Sequence, residues 1–399
     1  MTKHTKLRVG IDCRMPDVHQ GIGTAVIALA HALSQLRGAD QEYTFVVRED
    51  QREWLRLHVS GDCHLVVRRD KAIAKIRRQL GRIGTIRKLY NRTQTRPPAI
   101  PVSDGYVEAA GFDVVHFPTQ VAYLTGVPSI YQPWDLQHLH YPQFFSSEDY
   151  AIREMRYRAF CKQARFVCMQ TEWSRNDVIQ QYGLPPEKVV VVRWGSVLGA
   201  YSNPTPEVHS QVASRFGLPS EFFFYPAATW PHKNHEVILR ALEILKKQHG
   251  RAVAVFFTGA STEYRSELER IAAECGVTQQ VRYLGFVTTD ELQVLFESAT
   301  ALIFASRFEG FGLPVLEAFQ ASLPVLCARA SVVPEVAKDG ALYFDPDAPE
   351  ELARLMLAML EHPEERQYLI ERGAAVLARS TMEETAEGLR ALYARAARS

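Results

Sequence analysis

Residues 306–317 read Ser306-Arg307-Phe308-Glu309-Gly310-Phe311-Gly312-Leu313-Pro314-Val315-Leu316-Glu317. The stretch follows an apolar run, Ala301 to Ala305, that predicts a buried strand, and it opens a helix continuing through Ala318, Phe319 and Gln320. Gly310 and Gly312 permit backbone angles closed to other residues, so the turn between strand and helix can be tight. Pro314 suits a first helical turn, where its missing N–H forfeits no hydrogen bond. Amides at such a turn, with the positive end of the helix dipole, form a site for phosphate. Glu309 on the loop and Glu317 a turn into the helix would bracket that site, with carboxylates suited to accept hydrogen bonds from sugar hydroxyls. An ordinary strand-to-helix turn with two exposed glutamates fits the same spacing, so the glycines alone do not decide.

The longer string is more specific. From Glu309 to Glu317 it reads E-G-F-G-L-P-x-x-E, which is similar to the signature of the retaining GT-B glycosyltransferases of the family 4 type. That resemblance implies that Glu309 contacts a donor sugar and that Glu317 holds a nucleotide ribose. It also assigns the main chain of Gly310, Phe311, Gly312 and Leu313 to the diphosphate.

A chain of 399 residues is long for one core and predicts two domains. Apolar content of 47% and a charged fraction of 23% are those of a soluble globular protein. No uncharged apolar run approaches the ~18 residues of a membrane span, and the chain runs almost directly into a strand with no apolar signal region. The six cysteines form no C-x-x-C pair. Cys13, Cys168 and Cys327 lie in or beside strand-like runs, so buried free thiols are expected, and with them a reducing, cytoplasmic setting.

The net charge of +1 is unevenly spread. From Arg68 to Arg96 eleven Lys or Arg residues face one acid, Asp70, which leaves the rest of the chain nine negative. Ile73, Ile76, Leu80, Ile83 and Leu89 recur at mostly helical steps, with Arg77, Arg78, Arg82 and Lys88 mainly on other faces. Two readings stay open: an amphipathic helix packed on its own domain, or one lying on an anionic membrane surface. Nucleic acid is not expected as a partner, because Tyr90 is the one aromatic residue interleaved for base stacking.

Along the chain, Leu7 to Asp12 predicts a strand, Gly21-Ile22-Gly23 a turn and Thr24 to Leu36 a helix, the opening of a doubly wound α/β domain. The third glycine of a dinucleotide fingerprint is missing, and the turn alone is either plain or anion-binding. The resemblance places Gly21 and Gly23 beside the donor. After a strand from Val127 to Gln132 comes Pro133-Trp134-Asp135-Leu136-Gln137-His138, at the carboxyl edge of the sheet where open α/β sheets bind ligands. The family often shows His-Asp-Leu here. Trp134 takes the histidine's place, Asp135 keeps its own, and His138 follows a turn later; Trp134 and His138 are expected on the sugar or acceptor side. A rigid aromatic-rich loop is the competing reading. Ser174 is expected to cap a helix that Gly183 ends, and Asn203-Pro204-Thr205-Pro206 reads as a linker.

The second half begins with a strand from Glu221 to Pro226, and its loop, Ala227 to Asn234, leads into a helix. A lysine at such a turn offers a mobile point charge. The resemblance puts Lys233 on the diphosphate, while Ala228 and Thr229 stand where many members carry an arginine. Gly285-Phe286-Val287 resembles the turn that holds the nucleobase by its main chain, so Phe286 and Val287 are also expected at the donor.

The reading is therefore an α/β protein of GT-B type, two doubly wound Rossmann-like domains facing a cleft. Residues 1–202 form the acceptor-side domain with the basic segment 68–96, residues 207–380 the nucleotide-sugar donor domain, and residues 381–399 a helix returning toward the first. The resemblance implies retaining hexose transfer, mannose favoured, from a nucleoside-diphosphate sugar to a saccharide or lipid-linked acceptor, with Glu309, Asp135 and Lys233 catalytic. A GDP-sugar is favoured as donor and a UDP-sugar is possible. No cofactor is implied, and no aspartate pair with metal-binding spacing appears near the site. The alternatives are a GT-B epimerase or phosphorylase, or a non-catalytic partner that binds nucleotide sugars.

Overall fold

Strands with apolar residues at consecutive positions belong in sheets covered on both faces. Phe222–Pro226 (β8) is the extreme case, with Phe222, Phe223, Phe224 and Tyr225 all fully buried. In the computed structural model, which describes residues 6–15, 21–36, 38, 40–68, 99–197 and 203–398, such runs assemble into two sheets.

The first sheet holds Leu7–Asp12 (β1), Gln41–Arg48 (β2), Cys63–Arg68 (β3), Val114–Phe117 (β4), Ser129–Tyr131 (β5), Phe166–Met169 (β6) and Val189–Val191 (β7), in the order β3-β2-β1-β4-β5-β6-β7. The second holds β8, Ala254–Thr258 (β9), Val281–Gly285 (β10), Ala301–Phe304 (β11), Val325–Ala328 (β12) and Ala341–Phe344 (β13), in the order β10-β9-β8-β11-β12-β13. The pairings in both are parallel. Each sheet begins in the middle, runs to one edge, and returns to build the other half. The winding reverses between β1 and β4 and between β8 and β11, and the loops leaving the carboxyl ends diverge there to open a crevice.

Several local expectations are corrected. The first helix is Gly21–Gln35, so Gly21 and Gly23 occupy its opening turn and do not form a loop. Thr171, not Ser174, caps Glu172–Tyr182: the Thr171 hydroxyl accepts from the Ser174 N–H, and Ser174 reaches back as the other half of a capping box. Gly183 ends that helix in the left-handed region at φ 62°. Residues 203–206 are less a spacer than a helix start, because Thr205 caps Pro206–Phe216. The basic segment lies outside the described residues except for Arg68, whose guanidinium covers the Tyr106 ring at 4.1 Å. All six cysteines are buried and free. Among the described residues no helix is long and apolar enough to cross a membrane.

The last helix, Met382–Arg398, packs on the first domain. Fully buried Tyr393 shares a hydrogen bond with His116 Nδ1 at 2.9 Å, and Gln41 Nε2 donates to the Arg390 carbonyl at 2.9 Å. Where the chain crosses back, Gly195 lies so close that a Cβ on it would stand 2.3 Å from Met382 N. Burial holds the His116 ring neutral, with its pKa pushed down to about 3. Tyr393→Phe strips this buried ring of its hydroxyl partner, and the unfolding free energy in urea should fall by about 1–2 kcal/mol.

Candidate active site

The loops that leave β8 and β11 are tied together at their bases. The Tyr225 hydroxyl, at the end of β8, donates to the Lys233 carbonyl at 2.8 Å and shares a 2.8 Å hydrogen bond with Ser306 Oγ. Beyond that tie, Pro231–Lys233 makes a short turn, and Asn234, at φ 55°, opens the helix His235–His249. From this turn Lys233 Nζ donates to Glu309 Oε1 at 2.6 Å. The Glu309 backbone is held as well: its N–H donates to Ser331 Oγ at 2.9 Å, and that hydroxyl lies 3.3 Å from the Glu309 carbonyl. Lys233 and Glu309 thus meet at the point where the second sheet reverses its winding.

The two loop glycines serve different needs. Gly312 adopts φ 98° and is the N-cap of Leu313–Gln320, with Pro314 in its first turn. Gly310 is not in the left-handed region. It is required by proximity, because a Cβ there would lie 2.8 Å from the Trp134 carbonyl oxygen in the first domain. In the first turn of Leu313–Gln320 Pro314 has no N–H and the Val315 N–H donates to the Gly312 carbonyl at 3.0 Å, so the positive end of the helix dipole lies at the Gly312 turn. Glu317, inside that helix, is 7% exposed, and burial pushes its carboxyl up to about 7.

From the first domain, the loop after β5 supplies Asp135 beside Gly310, with its Cβ 3.3 Å from where a Gly310 Cβ would stand. Its carboxylate accepts the Gln137 N–H at 3.0 Å, and its pKa is raised, mainly by burial and further by the Glu309 charge. The structure therefore brings Asp135, Glu309 and Lys233 to one locus.

Trp134 and His138 do not join them. The Trp134 ring is in the core, 5.2 Å from the Trp194 ring, and Nε1 donates to the Pro118 carbonyl at 2.9 Å. Only the Trp134 main chain faces the loop of Glu309 and Gly310. Fully buried His138 turns to the helix Ser147–Gln163, where Nε2 pairs with Glu154 Oε2 at 3.0 Å among Tyr150, Tyr157 and Phe145. Both were expected on the sugar or acceptor side; the Trp134 ring is in the core and the His138 ring is turned to Glu154. Gly21 and Gly23 lie in a helix of the first domain. Phe286 follows Gly285 at the end of β10 and is 62% exposed, while Val287 packs against the core.

Sequence reasoning gave no role to Phe308, His140 or Ser331. His140 Nε2 pairs with Asp177 Oδ1 at 2.8 Å, and its ring stacks on Phe308 at 5.0 Å. The available signal was Phe308, a large apolar residue set between the charged Arg307 and Glu309.

Two doubly wound parallel sheets meeting at their carboxyl edges define the GT-B class, and solved structures agree. The Anabaena Alr3699/HepE structure in complex with UDP-glucose has a TM-score of 0.72 at 16% identity, over 98% of this chain and 100% of that one. WaaG, a glycosyltransferase involved in lipopolysaccharide biosynthesis, has a TM-score of 0.66 at 16% identity, over 96% and 99%. At these identities the likeness is one of fold. The sequence goes further: residues 19–195 match Glycosyltransferase Family 4, and residues 211–376 match Glycosyl transferases group 1. The chain belongs to this glycosyltransferase family. Among its relatives, the O-antigen chain mannosyltransferase B of Escherichia coli is 24% identical over 235 residues, 59% of this chain and 61% of that one. The D-inositol 3-phosphate glycosyltransferase of Corynebacterium diphtheriae is 26% identical over 260 residues, 61% of this chain and 60% of that one. The matches thus take in about three fifths of these relatives' length.

The raised Glu317 pKa has a stability consequence. The folded chain holds this proton from the ordinary 4.5 up to about 7, so stability falls as pH climbs through that window and levels off above it. Glu317→Gln should melt above the unsubstituted protein by a margin that widens from pH 5 to pH 8, up to the order of 3 kcal/mol. A margin constant with pH would refute the burial penalty.

Proposed function

We propose that the protein transfers a hexosyl group, mannosyl foremost, from a nucleoside-diphosphate sugar to a hydroxyl of a saccharide or lipid-linked acceptor, with retention at the anomeric carbon. The observation that carries this is the Lys233–Glu309 pair at the switch point of the domain that matches Glycosyl transferases group 1, with the N-terminus of Leu313–Gln320 in the adjoining loop. The E. coli relative and the Salmonella typhimurium RfbU protein, 24% identical over 213 residues, are O-antigen chain mannosyltransferases, which supports mannose. The HepE complexes with UDP and UDP-glucose keep a UDP-sugar beside a GDP-sugar as the donor.

In this reading the diphosphate takes the Lys233 ammonium from Glu309 and rests on the main chain of Phe311 to Leu313. Glu309 is then free to accept hydrogen bonds from the sugar. As the bond from the anomeric carbon to the phosphate oxygen breaks, charge develops on the leaving group, where lysine and helix terminus are already aimed. The acceptor oxygen forms its bond to that carbon on the same face, and its proton passes to the departing phosphate oxygen. Asp135, held at a raised pKa by burial, orients the sugar from the opposite wall. No metal or cofactor enters these steps. Glu317 accepts the ribose hydroxyls, and because donated hydrogen bonds favour a carboxylate, nucleotide binding should tighten as pH rises toward about 7.

A second reading, nucleotide-sugar binding without transfer, draws on the Trp134 ring, which is turned into the core where the family often has a histidine. Calorimetry with UDP, GDP and ADP, paired with a labelled-sugar transfer assay, separates the two. One nucleoside diphosphate should bind, and Lys233→Ala should weaken it about tenfold or more. Glu309→Ala should keep binding and slow transfer about 100-fold. Full transfer by Glu309→Ala would overturn the assignment; binding with no transfer to any acceptor would leave the second reading. If the basic segment 68–96 holds the protein to a lipid-linked acceptor, co-sedimentation with anionic vesicles should occur and should weaken with salt.

A further inference from the structure

Glu309 is fixed from both sides of the cleft, and the first-domain share of that fixing comes through its neighbours. Phe308 is 4% exposed, although it lies on a loop that opens onto the crevice. Its ring is surrounded by first-domain rings: His140 stacked at 5.0 Å, Trp173 edge-on at 5.7 Å and Tyr141 edge-on at 5.9 Å. This pocket is itself braced. Asp177 holds the His140 imidazole at 2.8 Å. The N–H groups of Glu172 and Trp173 donate to the Glu335 carboxylate, from the second-domain helix Val333–Ala337, at 2.8 and 2.9 Å. On either side of Phe308 the main chain touches the first domain too: the Tyr141 hydroxyl donates to the Arg307 carbonyl at 3.3 Å, and Gly310 abuts the Trp134 carbonyl. Glu309 lies between these contacts, and its own partners, Lys233 and Ser331, belong to the second domain.

We propose that Phe308 is a positioning residue, seated in the His140–Tyr141–Trp173 pocket so that Glu309 is set against the donor sugar only when the two domains are engaged. This rests on the reading of Glu309 as the group that meets the sugar. The nucleotide half of the site, Lys233, Glu317 and the first turn of Leu313–Gln320, lies within the second domain and does not use the pocket. Phe308 therefore governs turnover and leaves nucleotide affinity alone, a separation that a residue merely supporting the fold would not produce. A small displacement of a positioned group is enough to cost about 100-fold in rate.

The test is kinetic. Phe308→Ala should lower kcat by about 30-fold or more while nucleoside diphosphate affinity, by calorimetry, stays within about threefold. Phe308→Leu, which still fills the pocket with an apolar side chain, should recover part of the loss. Trp173→Ala, made from the other wall, should reproduce it, and the double variant should be little worse than either single one, as for two halves of one contact. The inference is overturned if Phe308→Ala keeps kcat within about threefold while Glu309→Ala is inactive. It is also overturned if nucleotide affinity and the melting transition fall together with kcat in both Phe308 variants. Normal transfer by Glu309→Ala would remove the sugar contact itself, and this inference with it, whatever Phe308 does.

Discussion

The two domains meet backbone to backbone. Gly310 approaches the Trp134 carbonyl so closely that no side chain fits between them, and Trp134 makes its half of the approach at φ 70°. A bulky residue in the left-handed region carries a strain of about 1–3 kcal/mol, sustained only where its surroundings over-determine it. Those surroundings are the Pro118 carbonyl on Nε1 and the Trp194 ring. One partner forgoes its side chain and the other accepts a strained backbone. At this point of the seam the domains are held in register by main-chain atoms, which keep their positions more tightly than long surface side chains do.

The electrostatics of the crevice follow from that closeness. Carboxylates drawn out of water resist ionisation, and Asp135 and Glu317 are both pushed upward by burial. Lys233 and Glu309 answer the same cost by pairing. A nucleotide sugar offers what each group lacks: hydroxyl donors for the carboxylates and a doubly charged diphosphate for the lysine and the helix terminus. The fold supplies the place, since both loops leave adjacent strands where the winding of the second sheet reverses.

Much of this was legible in the sequence because it is local. The strand–turn–helix around Glu309, the left-handed Gly312, Pro314 in the first turn and the uninterrupted apolar strands follow from backbone sterics and burial. The meeting of Lys233 and Glu309 was expected only through the family resemblance, which puts both at the donor. What stayed hidden depends on which way a side chain turns. Trp134 and His138 lie on the predicted loop, but one ring goes into the core and the other toward Glu154. His140 faces Phe308 instead, and two residues of spacing cannot announce that. Gly310 was credited with an unusual backbone angle when its need is for space, which only the opposing domain reveals. Thr171 and Ser174 are both competent caps, and their reciprocal bonding makes the choice between them a matter of one helical turn.

The seam between the first sheet and Met382–Arg398 bears on the order in which the protein is made. His116 and Tyr393 are 277 residues apart, so the surface that Tyr393 covers leaves the ribosome long before its cover does. At about 5–20 residues per second, the first sheet waits roughly 10–40 s for the second domain to be translated before its apolar flank is sealed. During that interval it is a natural client for chaperones, and native closure of the amino-terminal half waits until Met382–Arg398 has emerged from the ribosome.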